Sequence, residues 1–306
     1  MAALSRKNKH LLLKMFSLFS VVRGYNILII ILAQYLTSIF ILAPSKYLKE
    51  IVLDIHLFLL VAASSAVIAG GYIINNFYDS EKDLINRPRK TQLDRLVSQN
   101  TKLSFYFILN FLAIIAASYV SFRAVLFFAT YIFGIWFYSH KLKKWAFIGN
   151  IVAATLAIIP FFAIFLYYKN LDTVIFVHAS FLFLIIMMRE LIKDLENIKG
   201  DLSQNYKTIP IVLGERASKW MLTALVGLAV IPVYYLINHF EIGYMYLYFY
   251  ASVVLLLIFL FVVWKSQKKI HYLFLHNILK LLIVAGVFCI LLLDIHLVLD
   301  KIKLLL

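Results

Sequence analysis

Three oxygen-bearing side chains are spaced for one helix face at a point where an apolar segment turns acidic. Asn75, Asp79 and Asp83 follow one another at four-residue steps. Because a helix advances roughly 100° per residue, the three side chains stay within an arc of about 80°. Carboxylates at the end of a membrane-length helix are costly unless something cationic binds them. The spacing therefore predicts a cation-binding site at this helix end.

A second stretch repeats the pattern further along the chain. On a helix, its oxygen-bearing side chains fall within an arc of roughly 60°, whereas Glu196 points elsewhere. These side chains are Glu190, Asp194, Asn197 and Asp201. Two facing carboxylate stripes would repel each other unless cations lay between them. Since Mg²⁺ takes oxygen ligands from a few carboxylates together with substrate phosphates, the two stretches predict a diphosphate bridged by magnesium ions.

Basic side chains surround both stretches and could neutralise the phosphate oxygens that metal ions leave uncovered. They are Arg87, Arg89, Lys90 and Arg95 after the first stretch, and Lys193, Lys199 and Lys207 around the second. Any one of them could instead be an ordinary cation of a cytoplasmic loop. Acidic groups for metal and basic groups for phosphate, placed at the ends of apolar segments, indicate a lipid diphosphate as the substrate.

The elements that must position these residues are membrane helices. With 63% hydrophobic and 15% charged residues and a mean hydropathy of +0.90, the chain is too apolar for a soluble domain. Apolar runs long enough to span a bilayer recur along it. We count nine: Tyr25 to Leu42, Leu53 to Phe77, Leu103 to Tyr119, Ala124 to Tyr138, Ile148 to Tyr168, Val174 to Leu191, Met221 to Asn238, Tyr244 to Trp264, and Leu279 to Val298.

The distribution of Lys and Arg predicts the orientation of these helices. The N-terminal segment and alternate connections, residues 82–102, 141–144, 189–219 and 265–269, carry most of the cations. Short cytoplasmic loops hold such an excess, so the N-terminus and both acidic stretches are predicted on the cytoplasmic side of the cell membrane. The same bias accounts for the net charge of +15 without a nucleic-acid partner. Residues 1–24 are interpreted as an interfacial segment and residues 25–306 as one transmembrane domain.

At the two acidic stretches the chain resembles the UbiA superfamily of intramembrane prenyltransferases. The matching pattern is Asn75-x-x-x-Asp79-x-x-x-Asp83 with Asn86-Arg87-Pro88, then Arg189-Glu190-x-x-Lys193-Asp194 through Gly200-Asp201 and Lys207 to Gly214. Smaller matches are Arg23, Asn26, and Tyr138 to Lys143 followed by Gly149-Asn150. The sequences of both motifs are most similar to those of digeranylgeranylglyceryl phosphate synthases. These enzymes transfer a geranylgeranyl chain to the hydroxyl of geranylgeranylglyceryl phosphate.

The resemblance implies an all-α bundle around a lateral, lipid-accessible cavity, and roles for particular residues. Mg²⁺ would be bound by Asn75, Asp79, Asp83, Glu190, Asp194, Asn197 and Asp201. Catalysis would rest on Asp79, Asp83, Asp194 and Asp201, and substrate binding on Arg87, Arg89, Lys90, Arg95, Lys193, Lys207, Tyr138 and Asn26. Aromatic faces such as Tyr72, Phe77, Tyr78 or Tyr138 could stabilise a carbocation.

Two positions depart from the family pattern. Asn76 and Asn197 stand where aspartate is common. Each keeps an oxygen ligand but removes a negative charge, so metal affinity is expected to be lower, or these positions do not bind metal.

Other functions remain open from the sequence. An aromatic prenyltransferase of quinone biosynthesis would use the same diphosphate site with a different, aromatic acceptor. A divalent-cation transporter would place its carboxylates near the bilayer midplane, whereas here they concentrate at one end of the helices. Each acidic stripe by itself could be a solvated helix end. The sequence makes no prediction of acceptor identity, prenyl chain length or oligomeric state.

Overall fold

The computed structural model describes residues 6–170 and 172–303, and this part of the chain is helical, without a β-strand. The α-helices are α1 Arg6–Val21, α2 Gly24–Thr37, α3 Leu48–Val52, α4 Ile55–Tyr78, α5 Ser80–Asn86, α6 Pro88–Asp94, α7 Gln99–Val120, α8 Phe122–His140, α9 Ile148–Tyr168, α10 Thr173–Ser203, α11 Ile209–His239, α12 Tyr246–Lys265, α13 Lys269–Cys289 and α14 Ile295–Lys303. The predicted all-α class is confirmed.

Nine helical stretches within the described residues are long and apolar enough to cross a membrane, as predicted. They are Gly24–Leu42, Ile55–Tyr78, Gln99–Val120, Phe122–Lys144, Ile148–Tyr168, Thr173–Ser203, Ile209–His239, Gly243–Lys265 and Lys269–Leu292. The third and fourth spans are divided at Ser121, which is extended (φ −174°, ψ 160°) and accepts the amide hydrogen of Ala124 on its side chain. A serine N-cap thus starts α8 directly after α7.

Several predicted ends were wrong because helices continue beyond their apolar parts. The ninth span was predicted from Leu279, but its helix begins at Lys269. Likewise, α10 continues past Leu191 to Ser203. Hydropathy marks the length that hydrocarbon can cover, whereas backbone hydrogen bonding extends a helix through charged turns. The second acidic stretch consequently lies inside one continuous helix.

The chain divides into two compact units. The first comprises the described residues of Met1–Ile30 and Leu59–Lys141. In it, α7 packs along α8 and α1 packs against α6. A small apolar cluster of Val21, Ile73, Ile74 and Tyr106 lies beside the end of α4. This unit contains the first acidic stretch.

The second unit comprises the described residues of Ile31–Phe58 and Leu142–Leu306. Its centre is α10, which packs against α9, α11 and α13. Fully buried side chains such as Ile185, Met188 and Ile192 line α10. In a membrane this packing stabilises through close van der Waals contact, because lipid tails are as apolar as the core. Truncating Ile185 or Ile192 to alanine would loosen the helix that carries the second acidic stretch. The single domain over residues 25–306 and the interfacial position of residues 1–24 stay predictions.

Candidate functional site

The first acidic stretch lies where α4 ends and α5 begins. Asp79, between the two helices, has φ −93° and ψ 2°. The backbone amide of Asp79 still donates to the Asn75 carbonyl (2.9 Å), and that of Asp83 to the Asp79 carbonyl (2.8 Å). Since the four-residue hydrogen-bond register continues through this junction, Asn75, Asp79 and Asp83 keep a shared side of the chain.

Carboxylates and cations alternate around this junction. The Asn75 amide donates to Asp79 Oδ2 (2.9 Å), and Lys82 Nζ lies 3.2 Å from Asp79 Oδ1. Burial and the neighbouring Asp79 carboxylate raise the pKa of Asp83, while the cations Lys82, Arg87 and Arg23 act in the opposite direction. Two carboxylates flanked by three cations can bind both a metal ion and an anionic group.

Tyr72 joins two of the smaller matches to α4. The Arg23 guanidinium lies 4.9 Å from the centre of the Tyr72 ring, and the Asn26 amide donates to the Tyr72 hydroxyl (3.2 Å). Arg23 has a positive φ of 51°, just before α2 begins. Asn26 is therefore hydrogen-bonded to Tyr72, which lies about one helical turn before Asn75 on α4. Tyr138, predicted to bind substrate, is half-buried on α8.

The basic residues after α5 have different surroundings. Arg87 is half-buried between α5 and α6, and its amide donates to the Asp83 carbonyl (2.7 Å). Arg89 and Arg95 are exposed. Lys90 instead pairs with the buried Asp94, with 2.8 Å between Nζ and Oδ2. Lys90 therefore already neutralises a carboxylate of its own unit.

The second stretch lies on α10, where Glu190, Asn197 and Asp201 are buried and Asp194 is half-buried. Glu190 accepts hydrogen bonds from Arg189 (3.0 Å) and Lys193 (2.8 Å), one on each carboxylate oxygen. Lys193, predicted to bind substrate, thus pairs with its own helix. The Asp194 carboxylate instead accepts a hydrogen bond from a side chain of another helix, α9.

Asn150, which the sequence indicated only through the match at Gly149-Asn150, binds Asp194. Its amide donates to Asp194 Oδ2 at 2.8 Å. Gly149 allows α9 to begin against the preceding turn, because a Cβ there would lie 3.2 Å from the carbonyl oxygen of Lys143. That contact is tighter than side chains ordinarily make. The glycine therefore brings Asn150 to the position from which it reaches Asp194.

Lys207 is held by its backbone, and its side chain is exposed. Its amide donates to the Lys144 carbonyl (2.8 Å), and the Lys144 ammonium lies 5.5 Å from the centre of the Tyr206 ring. This ties the segment after α10 to the segment before α9.

Glu196 has a separate partner, as its predicted direction on α10 suggested: its carboxylate lies 3.4 Å from Nδ1 of the buried His276 on α13.

The side chains of the two acidic stretches suit a hard divalent cation, since their donor atoms are carboxylate and amide oxygens. In the described part of the chain, no three His, Cys, Asp or Glu side chains converge as a complete metal site. Mg²⁺ commonly uses only one or two protein carboxylates and completes its coordination with phosphate oxygens and water. Asp79 and Asp83 in the first unit, and Asp194 in the second, fit that mode. Glu190 fits it less well, because both its oxygens accept from cations.

Comparison with known proteins gives a consistent result. The model of the UbiA prenyltransferase family matches residues 19–292. Digeranylgeranylglyceryl phosphate synthase of Thermococcus gammatolerans is 32% identical over 210 residues, which cover 66% of this chain and 74% of that protein. The synthase of the same name from Sulfurisphaera tokodaii is 26% identical over 213 residues, 68% of this chain and 76% of that one.

Solved structures have the same fold. One, described as digeranylgeranylglyceryl phosphate synthase in membranes, matches with a TM-score of 0.67 and 22% identity, covering 90% of this chain and 97% of that one. Another, a UbiA homolog from Archaeoglobus fulgidus bound to GPP and Mg²⁺, matches with a TM-score of 0.66 and 16% identity, covering 90% and 99%.

Proposed function

Because the chain belongs to the UbiA prenyltransferase family, as predicted, we propose that it transfers a geranylgeranyl group from its diphosphate to geranylgeranylglyceryl phosphate in ether-lipid synthesis. The structural observation that carries the diphosphate part is the carboxylate pair Asp79 and Asp83 flanked by Lys82, Arg87 and Arg23. The acceptor is supported by the relatives, which are synthases of digeranylgeranylglyceryl phosphate.

The diphosphate would bind together with Mg²⁺, as GPP does in the A. fulgidus homolog. We propose that Asn75, Asp79 and Asp83 in the first unit, and separately Asp194 and Asp201 in the second, provide oxygens to Mg²⁺. Glu190 and Asn197 are the other two predicted Mg²⁺ ligands. When bound, Mg²⁺ would offset the negative charge that develops on the departing diphosphate. The joint action of the two clusters on one diphosphate stays a prediction.

Cationic side chains of the chain would act on the same leaving group. We propose that Arg87, Arg89, Arg95 and Lys207 bind diphosphate oxygens, with Lys90 and Lys193 contributing while paired to their own carboxylates. Charge-assisted hydrogen bonds from Arg and Lys to phosphate are about twice as strong as neutral ones. Their effect on rate comes from the transition state, where the leaving group carries the most charge.

The bond changes in the transfer are simple. The allylic C–O bond breaks, and its electron pair leaves with the diphosphate. The acceptor hydroxyl oxygen forms the new bond to carbon, and its proton passes to the released diphosphate. Aromatic faces near the first cluster, among them Phe77 and Tyr78, whose ring centres are 5.5 Å apart, would stabilise the developing carbocation by cation–π attraction. The surrounding helices would limit its hydrolysis by keeping water out.

The chain is an integral, multi-pass membrane protein. We propose that its N-terminus and both acidic clusters lie on the cytoplasmic side, on the basis of the excess of Lys and Arg in the connections at that end. Prenyl diphosphate would then reach the site from the cytoplasmic leaflet.

Transfer from radiolabelled geranylgeranyl diphosphate in purified, detergent-solubilised protein tests this function. We expect Mg²⁺-dependent product with geranylgeranylglyceryl phosphate, and no product in EDTA or with Asp79→Ala or Asp194→Ala. Asp172→Ala, at an exposed position before α10, is the matched control and should keep the activity. Transfer to 4-hydroxybenzoate alone would identify a quinone-type enzyme instead, and transfer that persists in EDTA would contradict the metal role.

A further inference from the structure

A buried polar network in the first unit joins side chains from α1, α4, α6 and α7. Lys102 is 1% exposed, and its ammonium donates to Asn76 Oδ1 (3.0 Å). The Asn76 amide nitrogen in turn donates to Asp94 Oδ2 (3.2 Å). Asp94, which is 2% exposed, also accepts from the Ser20 hydroxyl (3.0 Å) and the Lys90 ammonium (2.8 Å). Asn76 therefore links the two buried charges of this network.

We propose that Asn76 is a positioning residue: its amide bridges Lys102 to Asp94 and so fixes the segment that carries the first carboxylate cluster, instead of binding metal. This assignment uses both polar atoms of the side chain. The oxygen accepts from Lys102 while the nitrogen donates to Asp94. Of the two alternatives that the sequence left open, it favours the one in which Asn76 does not bind metal.

An amide suits this position better than a carboxylate. Lys102 and Asp94 are both buried and have opposite charges, so the interior of the network is neutral. An aspartate at position 76 could accept from Lys102 but would have no hydrogen to donate to Asp94. It would instead place a second negative charge against Asp94 Oδ2. The Lys102 ammonium would offset the new carboxylate, but Asp94 would exchange a hydrogen bond for repulsion, with Lys90, at 37% exposure at the rim of the network, as its remaining cation.

The network acts on the cluster through the chain that it closes. Asn76 lies near the end of α4 and Asp94 at the end of α6, so their contact fixes both ends of the segment that contains Asp83 and Arg87. Helices α5 and α6 have seven residues each. Helices this short are not stable without tertiary contacts. The Asn76 side chain is rotated roughly 100° from that of Asn75, which lets neighbouring asparagines serve the two different sites.

Four variants separate positioning from metal binding: Asn76→Asp, Asp94→Asn, the double exchange, and Asn100→Asp as a control at an exposed position of α7. The double variant reverses the polarity of the bridge, because an aspartate at 76 still accepts from Lys102 and an asparagine at 94 donates to it. Thermal unfolding of the full chain in detergent with EDTA gives a readout that needs neither metal nor substrate. The Mg²⁺ concentration for half-maximal transfer gives the second readout.

We expect each single exchange to lower the unfolding midpoint by about 3 °C or more, and the double exchange to recover at least half of that loss. Since misplacement of substrate-binding groups is costly to rate, kcat should fall about tenfold in Asn76→Asp and recover in the double variant. The half-saturating Mg²⁺ concentration should stay within about twofold of the wild type in the double variant. Asn100→Asp should match the wild type in every measurement.

Additive losses in the double variant would overturn the proposal, as would tighter Mg²⁺ dependence in Asn76→Asp with an unchanged unfolding midpoint. The kinetic readout rests on the proposed prenyl transfer, but the unfolding readout does not. If the wild-type protein transfers no prenyl group, the proposed function fails, while recovery of the midpoint in the double variant still supports the bridge.

Discussion

The hydrogen bond from Asn150 to Asp194 offers a sharp test of the second cluster. Asn150→Ala removes the 2.8 Å donor to Asp194 Oδ2 without adding bulk. Asp194 is half-buried, whereas the other carboxylates of α10 are buried. The orientation of the Asp194 side chain therefore depends on this hydrogen bond more than on packing. Without the bond, the carboxylate gains rotamers that do not suit a metal–diphosphate ligand.

The size of the effect follows from the bond type. A hydrogen bond to a charged group contributes about 1.5–3 kcal/mol. Because Asp194 is half-buried and water can replace part of the interaction, we take the lower end of that range, which corresponds to about a tenfold decrease in kcat/KM. Asn150→Asp should be worse, since it sets a second carboxylate against Asp194. Because Asn150 is buried, the added carboxylate should also lower the unfolding midpoint.

The assay is the Mg²⁺-dependent transfer of a labelled geranylgeranyl group, with kcat and KM measured separately. Asn238→Ala is the matched control, because that exposed asparagine donates to the Tyr234 carbonyl of its own helix. An Asn150→Ala enzyme that keeps kcat/KM within about twofold of the wild type would refute the assigned role of this bond. Equal losses in Asn150→Ala and Asn238→Ala would show a general effect on stability.

Three further changes test the fold by thermal unfolding in detergent. Gly214, with φ 84° and ψ 168°, interrupts α11; Gly214→Ala should cost about 1–3 kcal/mol, whereas Gly227→Ala, in the same helix with open space around it, should not lower the midpoint. Ser121→Ala removes the N-cap of α8 and should cost about 1 kcal/mol, with Ser121→Asp retaining the midpoint. Glu196→Leu should destabilise more than the double change of Glu196 and His276 to Leu, because the single change removes the carboxylate that lies 3.4 Å from Nδ1 of the buried His276. A higher midpoint in Gly214→Ala, an unchanged one in Ser121→Ala, or additive losses in the Leu pair would contradict the respective argument.

Local patterns allowed much of the helical structure to be predicted. The apolar runs identified all nine candidate spans of the described residues, since hydropathy alone determines which segments can cover the bilayer core. The four-residue spacing of Asn75, Asp79 and Asp83 was also sufficient to predict that they share one side of the chain. A helix places positions with this spacing on one side whatever it packs against. The predicted start of the ninth span failed because the charged turn from Lys269 lowers hydropathy without ending the helix.

Contacts between distant positions were decided only by the tertiary structure. The sequence identified Asn76 as a departure from the family pattern, but its partners Lys102 and Asp94 come from other helices. Asn150 reaches Asp194 across 44 positions of the chain.

The sequence by itself thus determined the family, the all-α membrane class and the helical register of the acidic residues, all of which depend on near neighbours along the chain. Only the packed structure decided that Lys193 pairs with Glu190, that Asn150 orients Asp194, and that Asn76 bridges two buried charges. The physical reason is that a side chain's rotamer and partner depend on which helices pack together, and helical periodicity places a residue on a face without identifying what that face meets.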